Sequence, residues 1–413
     1  MHQRLSAALL FISLCSATCF AQASNSQSPL PKVRAITAFI RLDRATYRAQ
    51  VADALKLLRP AKDALAKAGY EVETIRITTQ PFPEYTRGLN AEQTLEFFRE
   101  YDKLAEREGL ILDIGPAMVR DSDDPAQADL LAHVLEQTQH INAFITVADD
   151  DGIHWNAIRA AARAMKYLEE HSLHSEGNFR FAAGAFPPLV APFFPVSHTT
   201  PGGGHAFAIG LESANVVQQV FSAAKGDLNS AREQLTAALA AHAKKVETIA
   251  RGVAASTGWK YQGIDLTPVP LKEISIGAAM ESLVHGTIGS PGSLSAAYTI
   301  TSAVKRVPVQ QVGYSGLMLP VLEDSVLARR WESRAISRDS LLSYSSVCST
   351  GLDTLPLPGD TSEQELAEII ADVATLAVKW HKPLSARLLP VAGKKAGEMT
   401  EFLSSTLENV RLP

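Results

Sequence analysis

The sequence predicts an α/β protein with one domain, in which about ten strands form a barrel surrounded by helices. Three observations lead to this prediction. Strand-like and helix-like segments alternate along the chain, and crossover helices that return over a sheet face give largely parallel strands. Eight to ten strand-like segments are too many for a small open sheet and are compatible with a barrel. No Pro/Ser/Gly-rich linker divides the 413 residues.

The first half of the chain shows the alternation most clearly. In its first predicted helix, apolar residues recur at helical spacing from Val51 to Leu65, and Gly69 ends the helix. Strands are predicted at 33–40, 70–78, 110–114, 143–148 and 179–183. Helices are predicted between them, at 47–68, 91–107, 124–139 and 154–170.

The second half continues the pattern with longer helices. Strands are predicted at 205–211, 260–267 and 384–391, and helices at 229–256 and 363–379. Between the halves lies the longest irregular piece, residues 185–204. Long loops inside compact domains are more often functional than connective, so we expect this loop to contribute to a site.

The first residues have the pattern of a secretory signal peptide. Arg4 precedes the apolar stretch Leu5 to Leu14, and Ala21-Gln22-Ala23 is a small-x-small cleavage site. We therefore predict a signal peptide at 1–23, a polar leader at 24–32 and a single domain at 33–413. The expected location is the periplasm if the source is Gram-negative, and otherwise the outside of the cell.

Composition excludes several classes of protein. With 46% apolar and 20% charged residues, the chain can bury an ordinary core. No later segment is apolar enough to span a membrane, and no Lys/Arg stripe suggests a nucleic-acid partner. Cys15 and Cys19 would leave with the signal, so Cys348 alone remains and no internal disulfide is expected.

Four runs of sequence resemble one known family. They are VRAITAFI (33–40), YQGIDLTPVP (261–270), VGYSGLMLPVLED (312–324) and SVCSTGLDTLPLPGDTS (346–362). In this order they resemble the domain-of-unknown-function 711 family. The resemblance implies a pyruvate formate-lyase-like fold, a ten-stranded α/β barrel made of two half-barrels. The resemblance supplies no catalytic residues, because none are agreed for the family. The spacing before Gly313 does not match that of a glycyl-radical motif.

The candidate catalytic residues are acids near the ends of strand-like segments, together with one cysteine. Asp265 and Glu323 each follow an apolar run, and Asp353 lies in a stretch stiffened by glycine and proline. In a barrel such acids can converge, as a site requires. For Asp265 and Glu323, a solvated or helix-capping acid is the alternative. Asp353 lies outside any predicted helix start, so if it is buried its carboxylate needs a partner in the protein or a ligand. Cys348 is a candidate nucleophile, with a buried small apolar residue as its alternative.

The candidate ligand-binding residues suggest an anion. Arg76, followed by Gln80, could clamp an anionic group, although an exposed strand arginine is a common alternative. A triple glycine flanked by two histidines could bring backbone N–H groups to the ligand, or be a flexible surface loop. If this loop folds over the barrel mouth it forms a lid, and the apolar run 186–196 would be the packing face of that lid. The remaining ligand-binding candidates are His198, Gly202, Gly203, Gly204, His205, Ser315 and Gly351.

One acidic turn has the spacing of a metal site. Asp149, Asp151 and His154 follow the predicted strand at 143–148 and could hold a divalent cation. The alternative is that Asp151 caps the helix that begins near His154.

Two function classes remain open. The first is an exported enzyme that acts on a small polar or anionic metabolite at the barrel mouth, by acid/base or metal-assisted chemistry. The second is an exported binding protein without chemistry. A divalent metal and a homo-oligomer are both compatible with the sequence, and a glycyl radical is not expected.

Overall fold

The computed structural model describes residues 30–413, so the predicted signal peptide and most of the predicted leader lie outside the described residues. The strands are β1 (Lys32–Phe39), β2 (Val72–Thr78), β3 (Leu110–Pro116), β4 (Ile141–Asp149), β5 (Gly152–Ile153), β6 (Phe181–Ala185), β7 (Ala206–Glu212), β8 (Lys260–Asp265), β9 (Gly351–Pro358) and β10 (Leu384–Val391). As predicted, the described chain is α/β, with ten strands and surrounding helices.

The helices follow the strands along the chain. They are α1 (Tyr47–Lys67), α2 (Phe82–Tyr85), α3 (Ala91–Glu108), α4 (Ala126–Glu136), α5 (Trp155–His171), α6 (Ala214–Ala224), α7 (Leu228–Thr257), α8 (Ile276–Val284), α9 (Ser293–Lys305), α10 (Ser325–Glu332), α11 (Arg338–Ser345) and α12 (Glu363–Trp380). A 3-10 segment covers Leu173–Arg180. Local sequence defines several helix ends: Asn90 and Ser362 each form a capping box, and Gly109 ends α3 in the left-handed conformation.

All ten strands belong to one sheet. Along its main path the order is β8-β7-β1-β2-β3-β4-β6-β10-β9, and β5 pairs with β4. The central strands β1, β2, β3, β4 and β6 are parallel. At either side lies a further parallel pair, β7 with β8 and β9 with β10, and each pair runs antiparallel to the centre. The two outer pairs therefore end where the central strands begin.

The sheet is barrel-like but not closed. Strands β8 and β9 are its edges, and an irregular segment from Gln310 to Asp324 runs between them. At one end of this segment Val312 N–H donates to the Ile264 carbonyl of β8 (3.1 Å). Towards its other end Val321 N–H donates to the Asp353 carbonyl of β9 (3.0 Å). The segment thus satisfies part of both edges without forming an eleventh strand.

Strand β9 was missed by the sequence analysis, which treated 346–362 as a stiffened loop. Pro356 and Pro358 cannot donate to a ladder, and proline in a strand is tolerated mainly at a sheet edge. That is the position β9 occupies, beside β10 alone in the main path. At its start Gly351 has φ +89°, and a Cβ there would lie 2.3 Å from the Ser385 carbonyl oxygen. Gly351 is therefore a packing requirement of the β9–β10 pair.

The middle of the long irregular piece lies inside the barrel and does not form an external lid. The Thr37 hydroxyl of β1 donates to the Pro192 carbonyl (2.8 Å), and Thr199 N–H donates to the Thr79 carbonyl after β2 (2.9 Å). Glycines make the room: a Cβ on Gly210 would lie 2.5 Å from the Phe193 ring, and one on Gly184 would lie 2.9 Å from Val196. We call residues 191–199 the inner segment.

Candidate functional site

A large cavity lies at the end of the barrel where the central strands begin. Its volume is about 480 Å³, and Phe193 and Phe194 of the inner segment contribute to its wall. Early residues of the central strands also line it, including Arg34, Thr74, Ile111 and Asn142. The cavity is thus at the opposite end from the carboxyl ends of these strands, where α/β folds often build their sites.

Arg76 is the most unusual side chain in this cavity. It is 7% exposed on β2, and its Nε donates to the Thr74 hydroxyl (2.9 Å). Its guanidinium lies 5.0 Å from the centre of the Phe194 ring. Within residues 30–413 no carboxylate oxygen lies within ion-pair distance of it, and burial lowers the pKa of Arg76 to about 9. Arg76 is therefore a buried cation at neutral pH without a direct ion pair, and the Glu73 and Glu323 carboxylates act on it only from a longer distance.

The neighbouring charges form a connected ion-pair network. The Arg387 guanidinium donates from Nη2 to Glu323 Oε1 and from Nε to Asp353 Oδ1, both at 2.6 Å. The second Glu323 oxygen lies 3.7 Å from Arg34 Nη2. Burial raises the pKa of Glu323, while the two arginines oppose that effect. Two of the predicted acids, Glu323 and Asp353, therefore do converge, on an arginine that the sequence analysis did not select.

Arg34 extends this network to a second pair of acids. Its Nη1 lies 2.6 Å from Glu73 Oε2 and 3.5 Å from Glu212 Oε2. Glu212 is 3% exposed at the end of β7. Burial and the nearby Glu73 carboxylate raise the pKa of Glu212 to about 7. Glu212 is thus close to half-protonated at neutral pH.

This raised pKa makes stability depend on pH. The folded protein holds a proton on Glu212 that the unfolded chain releases between about pH 4.5 and 7, so this contribution is present at low pH and is lost as pH rises through 7. We expect the stability of Glu212→Gln relative to wild type to rise by about 2–3 kcal/mol between pH 5 and pH 8. Urea unfolding at both pH values measures the difference. A difference that does not change with pH would contradict the assignment.

The rim of the cavity comes from the 3-10 segment and the C-terminal stretch. Arg180 donates to the Leu135 and Ile141 carbonyls, at 2.6 and 3.0 Å, and burial lowers the pKa of Arg180 to about 10. The Glu176 carboxylate accepts from the N–H groups of Leu403 and Ser404. These contacts hold the C-terminal stretch beside the cavity, which Ser404 lines.

Asp265 and Ser315 have structural contacts. The Asp265 carboxylate accepts from Thr267 N–H and hydroxyl, at 2.9 and 2.7 Å, and from Tyr314 and Ser315 N–H, at 2.8 and 3.0 Å. The Ser315 hydroxyl donates to the Val312 carbonyl (2.8 Å). Asp265 is fully buried and does not line the cavity. The structure therefore places it as a brace for the turn at 313–316, and not beside Arg76.

The triple glycine lies at the other end of the barrel. Gly204 is beside Arg41, which follows the carboxyl end of β1, and His205 lies 3.3 Å from Asp53 and stacks on Trp259. Gln80 is nearby, and its amide exchanges two hydrogen bonds with the Leu42 backbone. The structure does not bring Gly202, Gly203, Gly204, Gln80 or His205 to the cavity that contains Arg76.

His198 lies within the inner segment but does not line the cavity that contains Arg76. Its ring lies 5.9 Å from Phe144, and burial lowers the pKa of His198 to about 4. The imidazole is therefore neutral at physiological pH. His198 is therefore not part of a flexible surface loop, and its buried Nδ1 has no hydrogen-bond partner among residues 30–413.

The acidic turn after β4 forms a histidine–carboxylate pair. His154 Nε2 lies 2.7 Å from Asp151 Oδ1, and its Nδ1 lies 3.0 Å from the Thr146 carbonyl, so both ring nitrogens have protein partners. Asp149 instead accepts from Asp150 N–H (2.9 Å). Across the part of the chain that the structure describes, no group of three or more His, Cys, Asp or Glu side chains could hold a metal.

Cys348 is a buried thiol. It is 1% exposed, packs in the main hydrophobic core and is a free cysteine. The nearest cation is Lys382, whose ammonium donates to the Cys348, Ser345 and Ser346 carbonyls. These contacts match the structural alternative for Cys348.

The sequence analysis missed most of the charged cavity wall. Arg34 and Arg387 each lie within a mostly apolar strand, and Glu212 ends another. A charged residue in such a strand must be buried with a partner or face a cavity. That signal would have identified all three, whereas the search for acids at strand ends identified only part of the network.

Fold and site together define a class: an α/β barrel-like domain with an arginine-rich cavity at the amino ends of its central strands. A family model described as Uncharacterised ACR (DUF711) matches residues 27–405, and the chain belongs to this family. The predicted resemblance is thereby confirmed.

Several curated relatives are similar along most of their length. A UPF0210 protein of Pyrobaculum islandicum is 31% identical over 363 residues, covering 84% of this chain and 80% of the relative. One from Pyrobaculum arsenaticum is 32% identical over 360 residues, covering 84% and 79%. One from Carboxydothermus hydrogenoformans is 27% identical over 361 residues, covering 84% and 80%. Among residues 30–413 we find no helix long and apolar enough to cross a membrane.

Proposed function

We propose that the protein is an enzyme that binds a small anionic metabolite in the 480 Å³ cavity and catalyses a proton transfer between that metabolite and a side chain. The observation that carries the proposal is Arg76. Burying a cation without a neutralising partner is costly, and an anionic ligand would offset that cost. Carboxylate and phosphate groups match a guanidinium in geometry as well as charge. On the basis of the predicted signal at 1–23, we place this activity outside the cytoplasm.

Glu323 is the proposed proton-transferring group. It lines the cavity, and burial raises its pKa, which brings a carboxyl nearer to the range useful for acid/base work at neutral pH. Arg34 and Arg387 hold both of its oxygens in place. A positioned carboxyl of this kind can accept a proton from a bound ligand and return it.

A non-catalytic binding protein is the second candidate, and one observation favours it. Glu323 and Asp353, the two predicted acids that converge beside the cavity, already face an arginine. Such acids could serve only to fix the arginine array. Recovering the bound metabolite after incubation with the protein, and comparing its mass and isomer with the input, distinguishes the two. An altered metabolite supports the enzyme, and an unaltered one supports the binding protein.

The test of the binding step is Arg76→Met. We expect the Kd for small carboxylates and phosphates, measured by isothermal titration calorimetry, to rise by about 10- to 100-fold, since a charge-assisted bidentate contact is lost. Unfolding free energy should stay the same or increase, because an unneutralised buried cation is removed.

A matched control removes the same charge elsewhere. Arg59 pairs with Glu108 on the exposed surface, 2.8 Å apart, so Arg59→Met should leave anion affinity unchanged. If wild type binds no carboxylate or phosphate, or if Arg76→Met binds them as wild type does, the proposal is wrong.

A further inference from the structure

A second, smaller cavity lies beside the first and is lined in part by residues of the family-like runs at 312–324 and 346–362. Its volume is about 40 Å³, and four residues line both cavities: Phe193, Phe194, Met318 and Arg387. We call this smaller cavity the inner chamber. Its other lining residues are Ala182, Pro195, Val196, Tyr314, Thr350, Asp353 and Ser385. The shared wall makes the inner chamber a neighbour of the site that Arg76 defines.

Thr350, which lines the inner chamber, has a hydroxyl group that is unpaired within the described part of the chain. Thr350 is 5% exposed, and its hydroxyl oxygen has no hydrogen-bond partner among residues 30–413. The Thr350 backbone is well satisfied by comparison, because its carbonyl accepts from both the N–H and the hydroxyl of Ser385, each at 2.8 Å. A buried hydroxyl without a partner costs free energy, so a ligand group that pairs with it would be stabilised.

The chamber offers hydrogen bonds without net charge. Asp353 is neutralised by Arg387 at 2.6 Å, and burial raises the pKa of Tyr314, which therefore stays a neutral phenol. An ionised group would gain no opposite charge there and would lose its hydration. A hydroxyl can both donate to the Asp353 carboxylate and accept from Thr350, so it fits the available partners.

Two of the family-like runs meet at this place. Thr350 and Asp353 come from the run at 346–362, and Tyr314 comes from the run at 312–324. Neither Thr350 nor Tyr314 lines the larger cavity. The Arg76 site alone therefore gives these residues no role.

We propose that the inner chamber is a second subsite for the same ligand and takes a hydroxyl at the end remote from its anionic group. The inference rests on the proposed anion site and narrows its ligand to hydroxylated carboxylates or phosphates. The chamber volume of about 40 Å³ is large enough for a hydroxyl group, since a cavity of about 10–15 Å³ already holds a water molecule. Phe194, which contacts Arg76 and lines both cavities, lies between the two ends of the ligand.

The test compares matched probes on the full chain. Straight-chain alkanoates and alkyl phosphates of increasing length are paired with the same molecules carrying a terminal hydroxyl, and each Kd is measured by calorimetry. In wild type we expect the hydroxyl to tighten binding by about 2- to 10-fold at one chain length, the gain typical of one hydrogen bond. In Thr350→Val, which keeps shape and removes the hydroxyl, the gain should disappear while the unsubstituted probes bind as before.

Thr78→Val is the matched control. Thr78 is also fully buried with an unpaired hydroxyl, but it lines neither the larger cavity nor the inner chamber. This variant should keep the hydroxyl preference of wild type, and neither substitution should lower the unfolding temperature.

The outcomes separate the two proposals. If anions bind through Arg76 but the hydroxyl gives no advantage at any length, or if Thr350→Val retains that advantage, the subsite is wrong and the anion site stands. If no anion binds at all, the anion site fails, and the subsite fails with it.

Discussion

Arg387→Met is expected to lower the free energy of unfolding by about 3–5 kcal/mol, the usual cost of removing one partner from a buried ion pair. Arg387 contacts two carboxylates, Glu323 and Asp353, and all three side chains are less than 10% exposed. Without the guanidinium, two adjacent acids would be left in a site with little water. They would have to take up protons or unfold the site around them. Chemical denaturation at neutral pH measures this loss.

The same reasoning predicts a rescue. The triple variant Arg387→Met, Glu323→Gln, Asp353→Asn removes the charges together and should recover most of the lost stability, because no uncompensated charge remains. It should also lose the proposed proton transfer. An exposed pair is the control: Arg163 and Asp129 lie 2.7 Å apart on the surface, and Arg163→Met should cost at most about 1 kcal/mol.

The size of the loss is informative about the cavity. If Arg387→Met costs no more than the surface control, water reaches the two carboxylates freely and the network is not a buried one. In that case the cavity would not be a low-dielectric ligand site, since electrostatic contacts are strong only where water is excluded.

Most of the fold could be predicted from the sequence because its signals are local. The helix at 91–107 carries its own capping box and terminal glycine, and the observed α3 differs from the prediction by one residue. Strand β9 could not be predicted in this way. Whether Pro356 and Pro358 are compatible with a strand depends on the position of that strand at a sheet edge, which is a property of the whole sheet.

The site was less predictable, for a physical reason. From the sequence, functional acids were expected at the carboxyl ends of strands, as in many α/β proteins. Here the inner segment enters the barrel, and the cavity that contains Arg76 lies at the amino ends of the central strands. The sequence predictions included Arg76, Glu323 and Asp353, but Arg387, which pairs with Glu323 and Asp353, comes from the last strand. That contact depends on long-range sheet order.

Asp324→Ala is expected to destabilise the protein by about 3–4 kcal/mol, since several charge-assisted hydrogen bonds would be lost together. Its Oδ1 accepts from Val326 and Leu327 N–H, at 2.9 and 3.1 Å, and so caps α10. Its Oδ2 accepts from Ile276 and Gly277 N–H, at 2.7 and 3.1 Å, in the first turn of α8. One carboxylate thus satisfies the first N–H groups of two helices, which otherwise lack partners.

A cap on a single helix provides the control. Asp227 accepts from Asn229 and Ser230 N–H at the start of α7, and it is exposed, so Asp227→Ala should cost only about 1 kcal/mol. Equal losses from the two variants, measured by urea unfolding, would mean that water replaces Asp324 at both helices.

Asp324 also bears on the cavity, because Glu323 precedes it in the chain. The Asp324 hydrogen bonds fix the backbone from which Glu323 reaches Arg387 and Arg34. The conservative variant Asp324→Asn keeps one acceptor oxygen, so it should remain folded while holding α8 and α10 less firmly. We expect Asp324→Asn to lose less anion affinity than Arg76→Met, because the Arg76 guanidinium is still present. Within Asp324→Asn, the rate of any proton transfer by Glu323 should fall by a larger factor than the anion affinity. If anion affinity and proton transfer fall by the same factor in Asp324→Asn, Asp324 contributes to stability and does not position Glu323.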